Sequence, residues 1–380
     1  MSQTVVRPIS AADHLAFLRS QPSASFLQTP AWAEVKSEWD HESLGWFRRD
    51  GDSSRDERLI GAGLVLYRRL PVVSRSLAYL PEGPLLDWAD AAVGDSLAAL
   101  AAYLRGRAFG VRLGPPVAVR SWSAATIKQA IADESAHRLG DVAPDSDDSG
   151  DKIGGHVVDA LRAGGWQPQQ SDDGFAAGQP QYVFQIPLAG RTADDVLAGM
   201  NQLWRRNIKR AAKEGVVVEQ APPAQLAKFH ELYVETARRD GFTPRPLAYF
   251  HTMFDALLRE DSDRIRLYFA IHGRDLVAST IWVRVGGHVW YSYGASSTAK
   301  REVRGSNAIQ WQMITDALAV GADVYDLRGI TDTLDPDDPH VGLIQFKVGT
   351  GGHAVEYAGE WDLPLNRPLY KAFQLYLARR

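Results

Sequence analysis

The stretch HVWYSYGASSTAKREVRGSNAIQWQMITDALAVGADVYDL, residues 288–327, decides the fold. His288–Tyr293 has the aromatic content of a strand, and the polar, glycine-bounded run Gly294–Gly305 reads as a loop. Ser306–Gly321 has the length and apolar spacing of a helix, and Val324–Leu327 is a second short strand. Strands joined by a crossover helix make the fold class α/β. Upstream, helices are expected over Thr192–Gly215, Pro223–Asp240 and Pro246–Arg259, then strands over Ile265–His272 and Leu276–Val285. The same strand–loop–helix–strand order occurs around Leu77–Val119, without any sequence period, so the repetition is one of topology.

The first half adds strands at Leu59–Leu70 and Leu77–Leu80 and a helix over Asp95–Arg107. A helix is also expected from Ala31 to Trp39, with Thr29 as its N-cap and Pro30 in its first turn. Residues 121–155 are acidic and poor in aromatics, and are expected to form a mobile insertion with one helix in it. At 380 residues, two domains are expected. The first is 1–188, joined by the closing segment 360–380, and the second is 189–359.

Composition narrows the chemistry. Hydrophobic content of 45% and charged content of 23% are ordinary globular values. A net charge of −4 argues against bulk attraction to polyanions, so any such partner must meet a local patch. The absence of cysteine excludes disulfides, thiol nucleophiles and thiolate metal sites. The ten histidines form no H-E-x-x-H, so no metal is expected, and no G-x-S-x-G elbow is present. No signal peptide or membrane-spanning run is expected, which points to a soluble, cytoplasmic protein.

Three constellations could carry function. In GLIQFKVGTGGH, residues 342–353, a strand is expected with Ile344, Phe346 and Val348 on one face and Leu343, Gln345 and Lys347 on the other. Lys347 is then either a positive charge beside a reacting centre or a lysine on the wet face of an edge strand. On the helix from Asp194 to Lys213, the cations Arg205, Arg206, Lys209, Arg210 and Lys213 fall within roughly 140° of one another. Such a face suits nucleotide or RNA phosphates, or is simply solvated. The run Gly294–Asn307, with Arg301 and Arg304 before a helix, resembles an anion-cradling loop but contains no Walker sequence.

Together the segments WRRNIKRAAKEGVVV (204–218), ELYVETARRDGFTPRPLAYF (231–250), YSYGASS (291–297), residues 306–329 and LIQFKVGTGGHAVEYAGEWDLPLNRPLYKAF (343–373) resemble the Fem family of peptidyltransferases. FLQTPAWAEVK (26–36) and YLPEGPLLD (79–87) resemble it more loosely. The resemblance implies two tandem GNAT-like domains with mixed sheets. It implies transfer of an aminoacyl group from aminoacyl-tRNA to an amine of a UDP-linked or lipid-linked muropeptide precursor, without a covalent enzyme intermediate or a cofactor. A lipid-linked acceptor would bring peripheral membrane contact; no protein partner is expected.

Residue by residue, the family's oxyanion-stabilising lysine falls on Lys347 and its precursor-binding lysine on Lys36. A precursor-phosphate arginine falls on Arg245, Tyr291 and Tyr293 lie in a substrate-binding segment, and the Arg205–Lys213 face with Arg301 and Arg304 would meet tRNA phosphates. The chain lacks the coiled-coil arm of some members and resembles the compact branch; Glu82-Gly83-Pro84 stands where the family has Arg-Gly-Pro. Three alternatives remain: an aminoacyl-tRNA-dependent transferase acting on a small-molecule scaffold such as an antibiotic, an acyl-CoA-dependent N-acyltransferase, and a non-catalytic RNA-binding protein.

Overall fold

The computed structural model describes residues 3–49, 57–70, 73–133, 136–145, 148–169, 178–335, 337–338 and 341–377. In chain order the first elements are β1 (Gln3–Pro8), α1 (Ala11–Arg19), α2 (Trp32–Val35), β2 (Asp40–Arg49), β3 (Glu57–Leu70), β4 (Val73–Leu80), α3 (Val93–Leu104) and β5 (Ala108–Leu113). Then come β6 (Ala118–Ser123), α4 (Ala124–Ala132), α5 (Asp148–Ala163), β7 (Gln167–Pro168), β8 (Tyr182–Pro187), α6 (Ala193–Gly199), α7 (Gln202–Lys213) and β9 (Val216–Ala221). The rest are α8 (Leu226–Asp240), α9 (Leu247–Glu260), β10 (Ile265–His272), β11 (Asp275–Val285), β12 (His288–Ser296), α10 (Gly305–Ala319), β13 (Val324–Gly329), α11 (Val341–Val348), β14 (His353–Tyr357), β15 (Trp361–Pro364) and α12 (Arg367–Leu377).

The chain divides into two compact units. The first comprises residues 1–121, 146–181 and 356–380; the second comprises 122–145 and 182–355. In the first, strands run in the order β1-β2-β3-β4-β5-β15-β7. Among its described strands the parallel pair, β4 with β5, is joined by α3 as the crossover. Trp46, Leu97, Leu100, Val111, Leu161, Trp166 and Trp361 fill its core. Returning β15 pairs antiparallel with β5, and Arg112 grips the fully buried Asp362 through two contacts of 2.7 Å. Tyr370 donates to the same carboxylate, and with Phe373 it packs α12 on Leu77 and Phe109.

The second sheet runs β6-β14-β8-β13-β12-β11-β10-β9. Here too a parallel pair, β12 with β13, is joined by a crossover helix, α10. Trp122, Phe184, Trp204, Tyr268, Trp282, Met313, Tyr325 and Ile344 are buried in its core.

Several expectations fail locally. The expected 121–155 insertion is largely regular structure. Ser123 caps α4 by accepting from the Thr126 amide, and Ala124, Ile127 and Ala130 recur at helical spacing and bury in the second unit's core. Residues 134–135 and 146–147 of this stretch lie outside the described residues. The single helix expected over Thr192–Gly215 is two. Asn201 caps a new start with its side chain on the Trp204 amide, and Met200 before it is extended and buried. The Ala31–Trp39 helix shrinks to α2, while the Thr29 hydroxyl donates back to the Phe26 carbonyl and ends a short 3-10 turn.

The expected Lys347 strand is the helix α11. Its buried residues are Ile344, Lys347 and Val348, spaced three and four apart, whereas alternation required Ile344, Phe346 and Val348. A short apolar run satisfies either period, and tertiary packing chose the helical one. Gly349 beyond it gives no room for a side chain, since a Cβ would lie 2.3 Å from the Trp204 ring. That closeness lets the Trp204 indole donate to the Phe346 carbonyl at 2.8 Å.

Candidate active site

Helix α7 sorts its faces as its sequence requires. Trp204, Asn207 and Ala211 are buried, while Arg206, Lys209, Arg210 and Lys213 are exposed. Arg205 is half-buried and donates to the Ala198 carbonyl, and Arg210 lies 3.8 Å from Glu214. Four cations of one sign against one nearby carboxylate leave a positive surface.

Beside α7 the β12–α10 loop folds back over the sheet. Lys300 and Arg304 both take left-handed backbone angles (φ +57° and +62°), unusual for residues with a Cβ. These two bends bracket one 3-10 turn, Arg301–Val303, and deliver the chain to the start of α10. Lys300 pairs with Asp275, Arg301 is exposed, and the half-buried Arg304 has an Nε with no hydrogen-bond partner.

A groove of about 560 Å³ lies here, within the second unit. Asn201, Leu203, Trp204 and Asn207 line one side, Lys300, Arg301, Arg304, Ser306 and Asn307 another, and Gln345 and Phe346 of α11 a third. The N-terminal end of α10 adds its positive dipole end to that of the arginines. An adjoining space of about 380 Å³ shares Ser296, Arg301, Ser306 and Phe346 with it, and continues past Tyr291, Arg239 and Leu343.

Tyr291 and Tyr293 are held differently. A bulge opposite Ile281 and Trp282 leaves Ser292 without a paired residue. The Tyr291 hydroxyl occupies the space a side chain at position 294 would need, 1.7 Å from a Cβ built there. Burial and then the Asp240 charge push the Tyr291 phenol up to about 12, so it stays a neutral hydrogen-bond donor. Tyr293 joins an edge-on aromatic cluster with Tyr233, Tyr249 and Phe250, and its hydroxyl is 3.1 Å from that of Tyr249. Arg245 is exposed and lies over the Tyr249 ring at 5.4 Å.

Lys347 is absent from the lining of both spaces. It is 4% exposed, and its Nζ donates to the carbonyls of Gly329 (2.7 Å) and Arg328 (3.3 Å) at the end of β13. Burial pulls its pKa down to about 7; the nearby Asp326 charge opposes that and Arg328 reinforces it. The buried Asp326 accepts from Gln185 Nε2 at 3.0 Å and from the Arg328 amide at 2.6 Å, and lies 3.2 Å from His288 Nε2. Its carboxyl is held below the usual range: burial raises it, but the His288 hydrogen bond and charge, with Arg328 and Gln185, outweigh burial.

The structure therefore brings Arg301, Arg304, Tyr291 and the base of α7 to one groove system. Arg245 and Tyr293 share one aromatic cluster through Tyr249, and Lys347 sits on a separate buried network. Lys36 belongs to the first unit, half-buried in the turn after α2, with Nζ 4.0 Å from Glu38 and 6.0 Å from the Trp39 ring. Glu82, at the departure from Arg-Gly-Pro, is buried and accepts from the Ser25 hydroxyl at 2.5 Å. Sequence reasoning missed Asp326, Gln185, Asn207 and Phe346. For Asp326 a signal existed: a carboxylate at the end of an apolar strand, two residues before an arginine. Among the described residues no group of three or more His, Asp or Glu could hold a metal ion, and no helix is long and apolar enough to cross a membrane.

Two mixed-sheet α/β units, each with a crossover helix between its parallel strands, define a tandem GNAT-like fold. A crystal structure of FemX superposes with a TM-score of 0.77, at 22% identity, over 97% of this chain and 99% of that one. A tandem GNAT protein from the clavulanic acid biosynthesis pathway superposes with a TM-score of 0.50, at 13% identity, over 96% and 99%. In sequence, a lipid II:glycine glycyltransferase of Staphylococcus aureus (strain MRSA252) is 23% identical over 96% of this chain and 94% of its own length. The chain belongs to the FemAB family, which it matches over residues 9–271 and 263–377. It is an aminoacyltransferase.

Proposed function

We propose that the protein transfers an aminoacyl group, glycine foremost, from aminoacyl-tRNA to an amine of a lipid-linked peptidoglycan precursor. One observation carries the reading: the chain matches a lipid II:glycine glycyltransferase almost end to end. The cationic groove supports the donor. The exposed Arg206, Lys209, Arg210 and Lys213, with Arg205, would meet the tRNA backbone, and Arg301 and Arg304 the phosphates near its acylated end. As the resemblance implies, Lys36 and Arg245 would each serve in binding the precursor, and Tyr291 and Tyr293 would serve in binding substrate.

The acceptor amine attacks the ester carbonyl of the aminoacyl-tRNA. A C–N bond forms, the C–O bond to the terminal ribose breaks, and the amine's proton ends on the released ribose hydroxyl. Lys347 lies off the groove lining, next in sequence to Phe346, which lines it, and, as the resemblance implies, would steady the negative oxygen of the tetrahedral intermediate. Two of its N–H groups are tied to the Arg328 and Gly329 carbonyls, so the protonated amine has one N–H left to give, in a fixed direction.

The test is transfer of radiolabelled amino acids from mixed charged tRNA to lipid-linked and to UDP-linked muropeptide, with ribonuclease as control. Ribonuclease-sensitive glycine on the lipid-linked acceptor is expected. Label on the UDP-linked acceptor alone would overturn the choice of acceptor, and absence of label from both, with folded protein, would overturn the reading. Lys347→Met should lower turnover by at least ~100-fold, the scale of losing one oxyanion donor.

A further inference from the structure

Asp326 has no direct contact with substrate in the reading above, yet it is buried, and one group it holds is the amide of Arg328, whose carbonyl receives Lys347. β13 pairs with β8 as far as Asp326↔Gln185, then loses register until Gly329↔Val183. Within that irregularity Arg328 adopts a left-handed backbone (φ +62°), a conformation costly for a residue with a side chain. One Asp326 oxygen accepts the Arg328 amide at 2.6 Å, closing a side-chain turn around this bend. The other faces Gln185 on β8 and His288 on β12, and His288 is itself stacked on Trp290 with ring centroids 4.0 Å apart. The bend turns the carbonyls of Arg328 and Gly329 toward α11, where both receive Lys347.

We infer that Asp326 is a positioning residue for Lys347: it holds the left-handed turn whose carbonyls grip and aim the Lys347 amine, and it places its own negative charge near that amine. The charged groups acting on Lys347 are Asp326 and Arg328 of β13, with opposite signs, and His288 of β12 acts through Asp326. The value of this arrangement for catalysis rests on the role given to Lys347 under the proposed function; the coupling itself does not.

The test reads Lys347 directly. In protein labelled with [ε-13C]lysine, with the resonance assigned by Lys347→Arg, the wild-type titration midpoint is expected at about 7. Asp326→Asn keeps the shape and removes the charge, and should weaken proton affinity by about tenfold, the low end of what a nearby opposite charge provides. An unmoved midpoint in folded Asp326→Asn overturns the inference. If that variant does not fold, Asp326→Ser takes its place: it too removes the charge while leaving an acceptor for the Arg328 amide, so the midpoint should fall likewise, and an unmoved one again overturns the inference. Turnover supplies the second readout. With the protonated amine as the active form, Asp326→Asn should lose more activity at pH 8 than at pH 6, whereas a merely structural defect lowers both alike. A shifted midpoint with full activity in Lys347→Met would sink the catalytic role and leave the coupling standing. An inactive Lys347→Met with an unmoved Asp326→Asn midpoint would sink the coupling alone.

Discussion

Replacing Lys347 by methionine should change stability in a way that depends on pH, and the sign follows from where the amine sits. Lys347 is 4% exposed, and its pKa falls from 10.5 to about 7. Below the folded value both native and unfolded amines are charged, and the native state bears the whole cost of burying an ammonium. Between about 7 and 10.5 the native amine is neutral while the unfolded one still binds a proton, so wild-type stability rises with pH. At about 1.4 kcal/mol per pH unit, the full span is on the order of 5 kcal/mol. Methionine never bears this cost, but it leaves the Arg328 and Gly329 carbonyls without their donor, a loss of about 1–3 kcal/mol each. The two effects nearly cancel at pH 6, where the variant should match the wild type to within about 2 kcal/mol. By pH 9 the variant should have fallen behind by roughly a further 3 kcal/mol. Urea unfolding of both proteins at pH 6, 7, 8 and 9, at fixed ionic strength, measures the difference. A gap that stays constant across this range would show that Lys347 does not titrate there, and the argument from its burial would be wrong.

Three further outcomes are expected. Asp362→Ala strands Arg112 in the first unit's interior and should cost about 3–5 kcal/mol in urea unfolding, as breaking a buried ion pair does. His14 is fully buried beside Ser43, and burial lowers its pKa from 6.5 to about 4; the unfolded state therefore binds the proton first, and stability should drain away by on the order of 3 kcal/mol as pH falls from 6.5 to 4. His14→Gln should remove that part of the acid slope. The double variant Arg206→Ala/Lys209→Ala on the exposed face of α7 should leave thermal unfolding unchanged, weaken tRNA binding, and flatten the dependence of log affinity on log salt by about 2.

Much of the fold could be read from the chain because its long helices carry unambiguous spacing: α8, α9 and α10 lie within three residues of where their periodicity predicts. Short elements behaved otherwise. α11 offered eight residues with apolar groups on both parities, and its packing, Ile344 and Val348 in the core and Phe346 against Trp204 with ring centroids 4.8 Å apart, goes with the helix. β1 and β2 were missed because charged residues interrupt them, and β9 because it begins three residues after α7 ends. The cationic stripe of α7 was legible as a stripe. The groove beside it was not, since its walls come from α7, the β12–α10 loop and α11, which only the folded sheet brings together. Lys347 was legible as a residue to weigh, though on a strand, and the turn that holds it depends on a backbone angle at Arg328 that no residue type announces.

The chain passes between its two units at residues 121, 145, 181 and 355. β15, synthesised after the last of these crossings, takes an interior place between β5 and β7. Order of synthesis and order of completion are therefore reversed. The second unit has all its residues on hand once position 355 has been made, while the first, begun at the N-terminus, waits with a gap in its sheet until Trp361–Pro364 arrives. Domains usually finish in the order they are translated. In this chain a polypeptide released after residue 355 would carry a second unit with all its residues and a first unit still open. A nonsense mutation near the end would damage the part of the protein encoded at the beginning.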